Sequence, residues 1–212
     1  METPQEYVLR TESAVRHLFA GIDDYMRILH DARPRAFVGT FQNDNDYNVA
    51  LERWATENQH AIQHSLEAQR AFLAEKYALA TLCGALLQVA STAIRLYSQN
   101  PVVPPEFVSL IKPDSVPARY CIGRLVRGVP IGLAIYAGRN QYNHIDDDQL
   151  REPNVAIFER LATGHTYGTG IRDPAFDLNS GLIWNFPSNI MSIMNWRTYD
   201  VYEQDMRNLL DI

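Results

Sequence analysis

Apolar residues recur at helical spacing along most of the chain. Between residues 8 and 32 they follow one another at steps of three and four, the period of an amphipathic helix. The stripe consists of Val15, Leu18, Phe19, Ile22, Tyr25, Met26 and Leu29. This helix is expected to end before Pro34, because proline lacks a backbone donor and disfavours helix in the residue before it. Residues 37–48 are rich in Gly, Asn and Asp and predict a loop.

The longest helical pattern covers residues 49–97, which contain no proline and a single glycine, Gly84. It predicts one very long helix or two helices that are joined tightly. The second half, residues 77–97, is apolar on most sides and is expected to be the central buried element. The first half carries a polar face and is expected to lie outside or to project.

Prolines and glycines divide the middle of the chain. Residues 100–117 contain five prolines and predict a connection with one short turn at residues 107–111. A helix capped by Asp114 or Ser115 is expected to begin near Pro117 and to continue to a kink or break at Gly128 and Pro130. Residues 130–145 then predict a strongly apolar helix that ends in polar residues.

The C-terminal part is expected to be rich in loops. A short helix is predicted after Pro153, and a final helix over residues 199–210 has an apolar stripe. Residues 163–189 between them lack a clear period and predict an ordered loop packed by Phe176, Leu182, Ile183, Trp184 and Phe186. The whole pattern predicts an all-α fold, a helical bundle with a long core helix, in one domain covering residues 1–212.

Composition agrees with a folded, soluble protein. The chain has 212 residues, of which 46% are hydrophobic and 21% are charged. The N-terminus is too acidic and polar for a secretory signal, and two cysteines cannot form a disulfide framework, so a cytoplasmic location is expected. Apolar runs such as residues 129–138 are shorter than the ~20 residues of a membrane helix, and we expect no membrane span.

Positive charge is concentrated in one stretch of an acidic chain. The net charge of −6 argues against a protein that nucleic acid coats through general electrostatics. Residues 115–145, however, contain no acidic residue and four arginines, namely Arg119, Arg124, Arg127 and Arg139. This stretch is predicted to bind phosphates. The alternative is that these arginines form ordinary salt bridges with acids elsewhere in the chain.

Arg139, Asn140 and His144 form a motif at the polar end of the helix over residues 130–145. Asn140 and His144 are one helical turn apart, so the amide can orient the imidazole. Cleavage of RNA needs an acid or base for the 2′-hydroxyl and the leaving oxygen, which histidine provides near neutral pH. It also needs positive charge for the transition state, which arginine provides. No metal is required, and a two-fold dimer would supply a second histidine.

The motif, read as "RNQYNH", resembles the R-X4-6-H signature of the HEPN superfamily, in which a polar residue typically follows the arginine. The resemblance implies an all-α bundle of four or more helices, a homodimer with the motif in its cleft, and metal-independent endoribonuclease activity on RNA. In this family Arg139 would stabilise the phosphate, His144 would act as general acid or base, and Asn140 would support both. Many members are toxins or anti-phage effectors, so an antitoxin or sensor protein is a candidate partner.

Some HEPN proteins lack activity and act as binding modules, so a silent helical module for a nucleotide or a protein partner is the alternative function. Tyr142, inside the motif, could stack on a base or pack at the dimer interface. His60 and His64 have the spacing of a zinc pair but lack a clear third ligand, and Asp146–Asp148 are expected at an exposed helix end. No cofactor or metal is therefore expected.

Overall fold

The computed structural model describes residues 3–31, 36–144, 150–165, 170–179 and 186–212. Over these residues the chain forms eight α-helices and one short β-hairpin, which confirms the all-α prediction. The helices are α1 Pro4–Asp31, α2 Asp44–Glu57, α3 Gln59–Ala74, α4 Lys76–Tyr97, α5 Ile131–Asn143, α6 Asn154–Thr163, α7 Phe186–Ile193 and α8 Tyr199–Leu210. The hairpin strands are β1 Leu125–Val126 and β2 Val129–Pro130, and 3₁₀ turns cover Pro105–Phe107 and Pro117–Tyr120.

The chain divides into two compact units. The larger unit combines Met1–Gly21 with Ala78–Ile212, and the smaller unit consists of Ile22–Tyr77. The sequence-based expectation of one domain over residues 1–212 stays a prediction.

In the smaller unit, α2 and α3 are separate helices, although the sequence also allowed one continuous helix here. Asn43 caps α2 by accepting a hydrogen bond from the Asp46 N–H at 3.0 Å. The Asn58 side chain donates to the Trp54 carbonyl at 2.8 Å, the same carbonyl that accepts the Asn58 backbone N–H at 2.9 Å, and α2 ends at this residue. A second break follows at Glu75, whose N–H is shared between two carbonyls. Residues 49–97 thus belong to three helices, and the prediction of one or two was wrong.

The core of the larger unit is built from α4 to α8 with the start of α1. The prediction that residues 77–97 form a buried helix is confirmed, since nine residues of α4 are buried. The first eight residues of α5 are buried except Tyr136, so α5 is as central as α4. The largest fully buried side chains are Phe158, Phe186, Leu86, Leu87, Ile94, Ile111, Ile131, Leu133, Ile135, Ile157, Leu161 and Ile190.

A glycine allows α5 to lie close to its neighbours. A Cβ placed on Gly138 would come within 2.9 Å of Leu87 on α4 and 3.0 Å of Ile190 on α7. Contacts this short are tighter than ordinary van der Waals packing, so both helices approach the α5 backbone here. The polar end of α5, which begins at the next residue, is thereby fixed relative to α4 and α7.

The helix predicted from Pro117 to Gly128 is wrong beyond its first turn. After the 3₁₀ turn the chain forms the hairpin, in which Leu125 pairs with Pro130 and Val126 with Val129. Arg127 and Gly128 have φ angles of 50° and 77°, and a two-residue hairpin turn with both central φ values positive matches the strand twist. The helical spacing of apolar residues here was outweighed by the turn that Arg127 and Gly128 form.

The remaining helix predictions agree with the structure except near residue 186. The predicted helices of residues 8–32, 130–145, 154–162 and 199–210 are confirmed as α1, α5, α6 and α8. The loop expected to extend to residue 189 instead gives way to α7 at Phe186, whose buried ring packs on Phe158 with centroids 4.6 Å apart. Leu182, Ile183 and Trp184 lie outside the described residues.

Among the described helices, α4 is long and apolar enough to cross a membrane by length and composition. Half of its most apolar window is buried inside the protein. The absence of a membrane span stays a prediction.

One charged network joins the hairpin to the C-terminal helix. Arg124 makes a two-pronged contact with Asp205 of α8, at 3.0 Å from Nε and 2.8 Å from Nη2. Asp205 is buried and also accepts a hydrogen bond from the Trp196 indole at 2.8 Å. Arg124 donates further to the Met194 carbonyl. The buried carboxylate is thus satisfied by Arg124, 81 residues away, and by Trp196, which precedes α8.

We predict that Arg124→Ala lowers the free energy of unfolding by about 2 to 3 kcal/mol, because it leaves the buried Asp205 carboxylate without its cation. The value is at the low end for a buried pair, since the Arg124 side chain is itself 45% exposed. Urea denaturation followed by far-UV circular dichroism measures it.

The control is Arg207→Ala, which removes an exposed pair with Glu203 on the same helix and is expected to cost about 0.3 to 0.5 kcal/mol. Equal losses in the two variants would show that the Asp205 network does not stabilise the fold.

Candidate active site

The last turn of α5 carries the predicted motif. Arg139 and Asn140 lie on the helix, and His144 ends it, with its backbone N–H bonded to the Asn140 carbonyl at 3.0 Å. Arg139 and Asn140 are half-buried, whereas His144 is exposed. The structure therefore places all three residues at one helix end, with Asn140 and His144 one turn apart as the sequence predicted.

Neutral oxygen atoms orient the Arg139 guanidinium. Its Nε donates to Gln88 Oε1 of α4 at 2.7 Å, and its Nη1 donates to Asn140 Oδ1 at 2.9 Å. Gln88 is itself held by α4, because its Nε2 donates to Thr92 Oγ1 at 3.1 Å. The Gln88 amide consequently presents its oxygen to the arginine.

Amide oxygens orient a guanidinium but leave its charge in place. No carboxylate lies within 4.0 Å of Arg139 in the described part of the chain. Burial among neutral partners weakens solvent screening and so strengthens the field of this charge toward an anion. Arg139 thus differs from Arg124 and Arg127, whose charges are balanced by carboxylates of the same chain.

Asn140 links the arginine to α6. Its Oδ1 accepts from Arg139, and its Nδ2 lies 3.4 Å from Oδ1 of Asn154, a buried residue at the start of α6. These two contacts use opposite ends of the amide and define its orientation. Asn140 is therefore held by Arg139 on one side and by Asn154 on the other.

Two cavities adjoin the polar end of α5 and share a wall. The smaller, of about 280 Å³, is lined by Gln88, Ser91, Thr92, Arg95, Val116, Tyr120, Tyr136, Arg139 and Asn140. The larger, of about 400 Å³, is lined by Tyr136, Asn140, His144, Leu150, Arg151, Glu152 and Asn154. Tyr136 and Asn140 line both, whereas Arg139 lines only the smaller cavity and His144 only the larger one.

Tyr120 supplies a neutral hydroxyl inside the smaller cavity. Its hydroxyl donates to the Ser91 carbonyl at 3.0 Å and lies 2.9 Å from the Ser91 hydroxyl. Burial raises the pKa of Tyr120, while the Ser91 hydrogen bond and the charges of Arg139 and Arg95 act in the opposite direction. The raised pKa keeps this tyrosine protonated at neutral pH.

The other three predicted phosphate-binding arginines lie elsewhere. Arg119 donates to the Arg95 carbonyl at the end of α4, at 3.0 Å, and Arg124 pairs with Asp205. Arg127 contacts Asp173 at 2.7 Å, and its guanidinium lies 5.1 Å from the Phe176 ring centroid. The salt-bridge alternative thus holds for Arg124 and Arg127, and none of the three lines either cavity.

The Tyr142 ring packs against α4 at Gly84. A Cβ on Gly84 would lie 2.6 Å from the Tyr142 ring, so the ring occupies the space that the missing side chain leaves. Tyr142 is half-buried and belongs to neither cavity. Packing within the chain therefore accounts for this residue, and stacking on a base stays a prediction.

The histidines considered for metal binding and the two free thiols have no metal site or reactive state in the described residues. His60 and His64 are exposed on α3, and no group of three or more metal-binding side chains is found in the described residues. Asp146–Asp148 lie outside the described residues. Burial raises the pKa of Cys83 to about 12, and partial burial raises that of Cys121 to about 11. Both free thiols therefore stay protonated at neutral pH.

Sequence reasoning missed the residues that complete the site from other elements. Gln88 and Arg95 come from α4, Tyr120 from the 3₁₀ turn, and Asn154 from α6. One signal was available, since Gln88 is a polar residue in the middle of an apolar helix. No pattern in the sequence, however, indicates that Gln88 faces Arg139, 51 residues away.

Comparisons of the chain with protein-family models, curated proteins and solved structures found no match. The likeness to HEPN proteins consequently rests on residues 139–144 and on the helical pattern around them.

We predict that Gly84→Ala destabilises the fold by about 1 to 3 kcal/mol, because the new methyl group would overlap the Tyr142 ring. Tyr142→Ala removes the ring, so Gly84→Ala should cost little stability in the Tyr142→Ala background. Thermal denaturation of the four proteins in a double-mutant cycle measures the coupling. Additive effects would contradict direct contact between residues 84 and 142.

Proposed function

We propose that this protein is a metal-independent endoribonuclease whose active site is formed by Arg139, Asn140 and His144. The observation that carries the proposal is the set of partners around the Arg139 guanidinium. Its guanidinium is oriented by two amide oxygens, no described carboxylate neutralises it, and an exposed histidine follows five residues later at the end of the same helix. A cation held by neutral partners, at the same helix end as an imidazole that can serve as acid or base, suits phosphodiester cleavage.

The proposed reaction is transfer of the RNA phosphodiester to the neighbouring 2′-oxygen. His144 removes the proton of the 2′-hydroxyl, and the 2′-oxygen forms a bond to phosphorus as the bond to the 5′-oxygen breaks. The 5′-oxygen leaves with a proton from a general acid, which yields a 2′,3′-cyclic phosphate and a 5′-hydroxyl. Arg139 stabilises the negative charge on the pentavalent phosphorane.

The wall shared by the two cavities is the proposed position of the phosphodiester that is cleaved. Because Asn140 lines both cavities and is bonded to Arg139, a phosphodiester placed across Asn140 would have the arginine on one side and His144 on the other. Asn154, which contacts the same amide, keeps Asn140 in this position.

A homodimer is part of the proposal. One copy of the motif supplies a single histidine, whereas the reaction uses a base for the 2′-hydroxyl and an acid for the leaving oxygen. A two-fold interface across the end of α5 would add the partner subunit's His144. His144 is exposed on one protomer, which is compatible with such an arrangement.

A second function is a binding module for phosphate-bearing ligands that does not cleave RNA. One observation favours it: Arg139 and His144 line different cavities within a single chain. A ligand could then occupy the Arg139 cavity without meeting His144.

We expect the purified protein to cleave single-stranded RNA in EDTA. Arg139→Ala and His144→Ala should each lower kcat/KM by about 100-fold or more, the size typical for loss of a general acid–base group or a charge-stabilising donor. The assay follows a fluorescent RNA and identifies the 2′,3′-cyclic phosphate end by mass spectrometry.

Arg53→Ala and His60→Ala serve as matched controls, because both residues are exposed on helices of the smaller unit. Circular dichroism verifies that every variant is folded. If the wild type binds RNA without cutting it, the binding module replaces the ribonuclease. Cleavage that survives in folded His144→Ala would exclude the proposed mechanism.

A further inference from the structure

The smaller cavity is positively charged. Two arginines, Arg95 and Arg139, line it, and none of its lining residues in the described part of the chain is acidic. Tyr120 lines the same cavity. In a chain with a net charge of −6, this concentration of positive charge is local.

Several hydrogen-bond donors in this cavity are open. Among the described residues, Arg139 Nη2, the Arg95 guanidinium and the Tyr136 hydroxyl have no hydrogen-bond partner. By contrast, Tyr120 and Ser91 satisfy each other, and the Thr92 hydroxyl donates to the Gln88 carbonyl. The open groups are donors, two of them cationic, as phosphate recognition requires.

The scaffold holds these donors in place. The Tyr136 ring packs against Tyr120 with centroids 5.0 Å apart, and Tyr120 is fixed to α4 through Ser91. Arg95 is on the same helix as Gln88, two turns further along, and Gln88 orients Arg139. Arg139 and Tyr136 are therefore oriented before any ligand arrives, whereas the Arg95 side chain is exposed at the rim of the cavity.

We propose that Arg95 and Tyr136 form a phosphate subsite in this cavity for the backbone phosphate of RNA next to the phosphodiester that is cleaved, while Arg139, which is bonded to the wall residue Asn140, contacts the cleaved phosphodiester itself. The inference rests on the proposed function for the choice of RNA as ligand. Arg95 and Tyr136 are then binding residues that the R-X4-6-H motif does not include. The cavity of about 280 Å³ has room for roughly nine waters at ~30 Å³ each, which is ample for a phosphate group.

The positions of the two cavities indicate which phosphate of the RNA would occupy the subsite. His144 lines only the larger cavity, so the 2′-hydroxyl chemistry is expected there, and the neighbouring phosphate enters the smaller one. Asn140, which is part of the shared wall, would lie at the cleaved phosphodiester, and Arg95 and Tyr136 would contact the phosphate next to it. An RNA with at least two successive phosphates is therefore needed to occupy both cavities.

The test measures binding of an uncleavable 2′-O-methyl RNA to the full-length protein by fluorescence anisotropy at several salt concentrations. Arg95→Gln should weaken binding roughly fivefold to tenfold and reduce the salt slope by ~0.7, the contribution of one single-strand phosphate contact. Tyr136→Phe, which deletes only the hydroxyl, should weaken binding by a smaller factor. Arg70→Gln, an equal charge change at an exposed position on α3, is the control.

Cleavage assays separate this proposal from the ribonuclease itself. On cleavable RNA, the loss of kcat/KM in Arg95→Gln should appear in KM, whereas a dinucleotide lacking the extra phosphate should be insensitive to the substitution. Binding that responds to Arg95→Gln without any cleavage by the wild type supports the subsite and overturns the ribonuclease. An identical effect of Arg70→Gln, or adenosine 5′-monophosphate competing as tightly as RNA, overturns the subsite.

Discussion

The burial of α5 is the constraint on which the rest of the structure depends. Seven of its first eight residues are inaccessible to solvent, and Gly138 brings its backbone against α4 and α7. A helix enclosed on this scale has one place for polar side chains, which is the turn where it leaves the core. Arg139 and Asn140 occur at that turn, and the position of the candidate site follows directly from the packing of the apolar residues before it.

The charge of its partners distinguishes an arginine that stabilises the fold from one that could bind an anion. Arg124 meets the buried carboxylate of Asp205, and Arg127 meets Asp173, so each is part of a balanced pair that connects elements of the fold. Arg139 meets only the amide oxygens of Gln88 and Asn140 in the described residues. Two hydrogen bonds orient its guanidinium, but no described carboxylate balances its charge. This difference is the reason why the functional proposals concern α5.

The shared wall of the two cavities relates the motif to its proposed substrate. Tyr136 and Asn140 lie between the cavity that Arg139 lines and the cavity that His144 lines. An extended polymer with regularly spaced phosphates can occupy both cavities at once, which a small anion cannot. This geometry is the reason for proposing a linear RNA strand that crosses Asn140 and for proposing Arg95, outside the motif, as a binding residue.

Residues close in sequence determined the helices and the motif. Apolar spacing located α1, α5, α6 and α8, and the adjacency of Arg139, Asn140 and His144 placed them at one helix end, because helical periodicity is a local property. Local chemistry also decided two features that spacing alone missed: the Asn58 amide that interrupts the long helix, and the hairpin turn at Arg127 and Gly128. Only the tertiary structure decided which arginines are balanced and which faces a cavity. Asp205, Asp173, Gln88 and Arg95 are 44 to 81 residues from the arginines they meet or join, and such pairings follow from how helices pack, which no periodicity in one segment encodes.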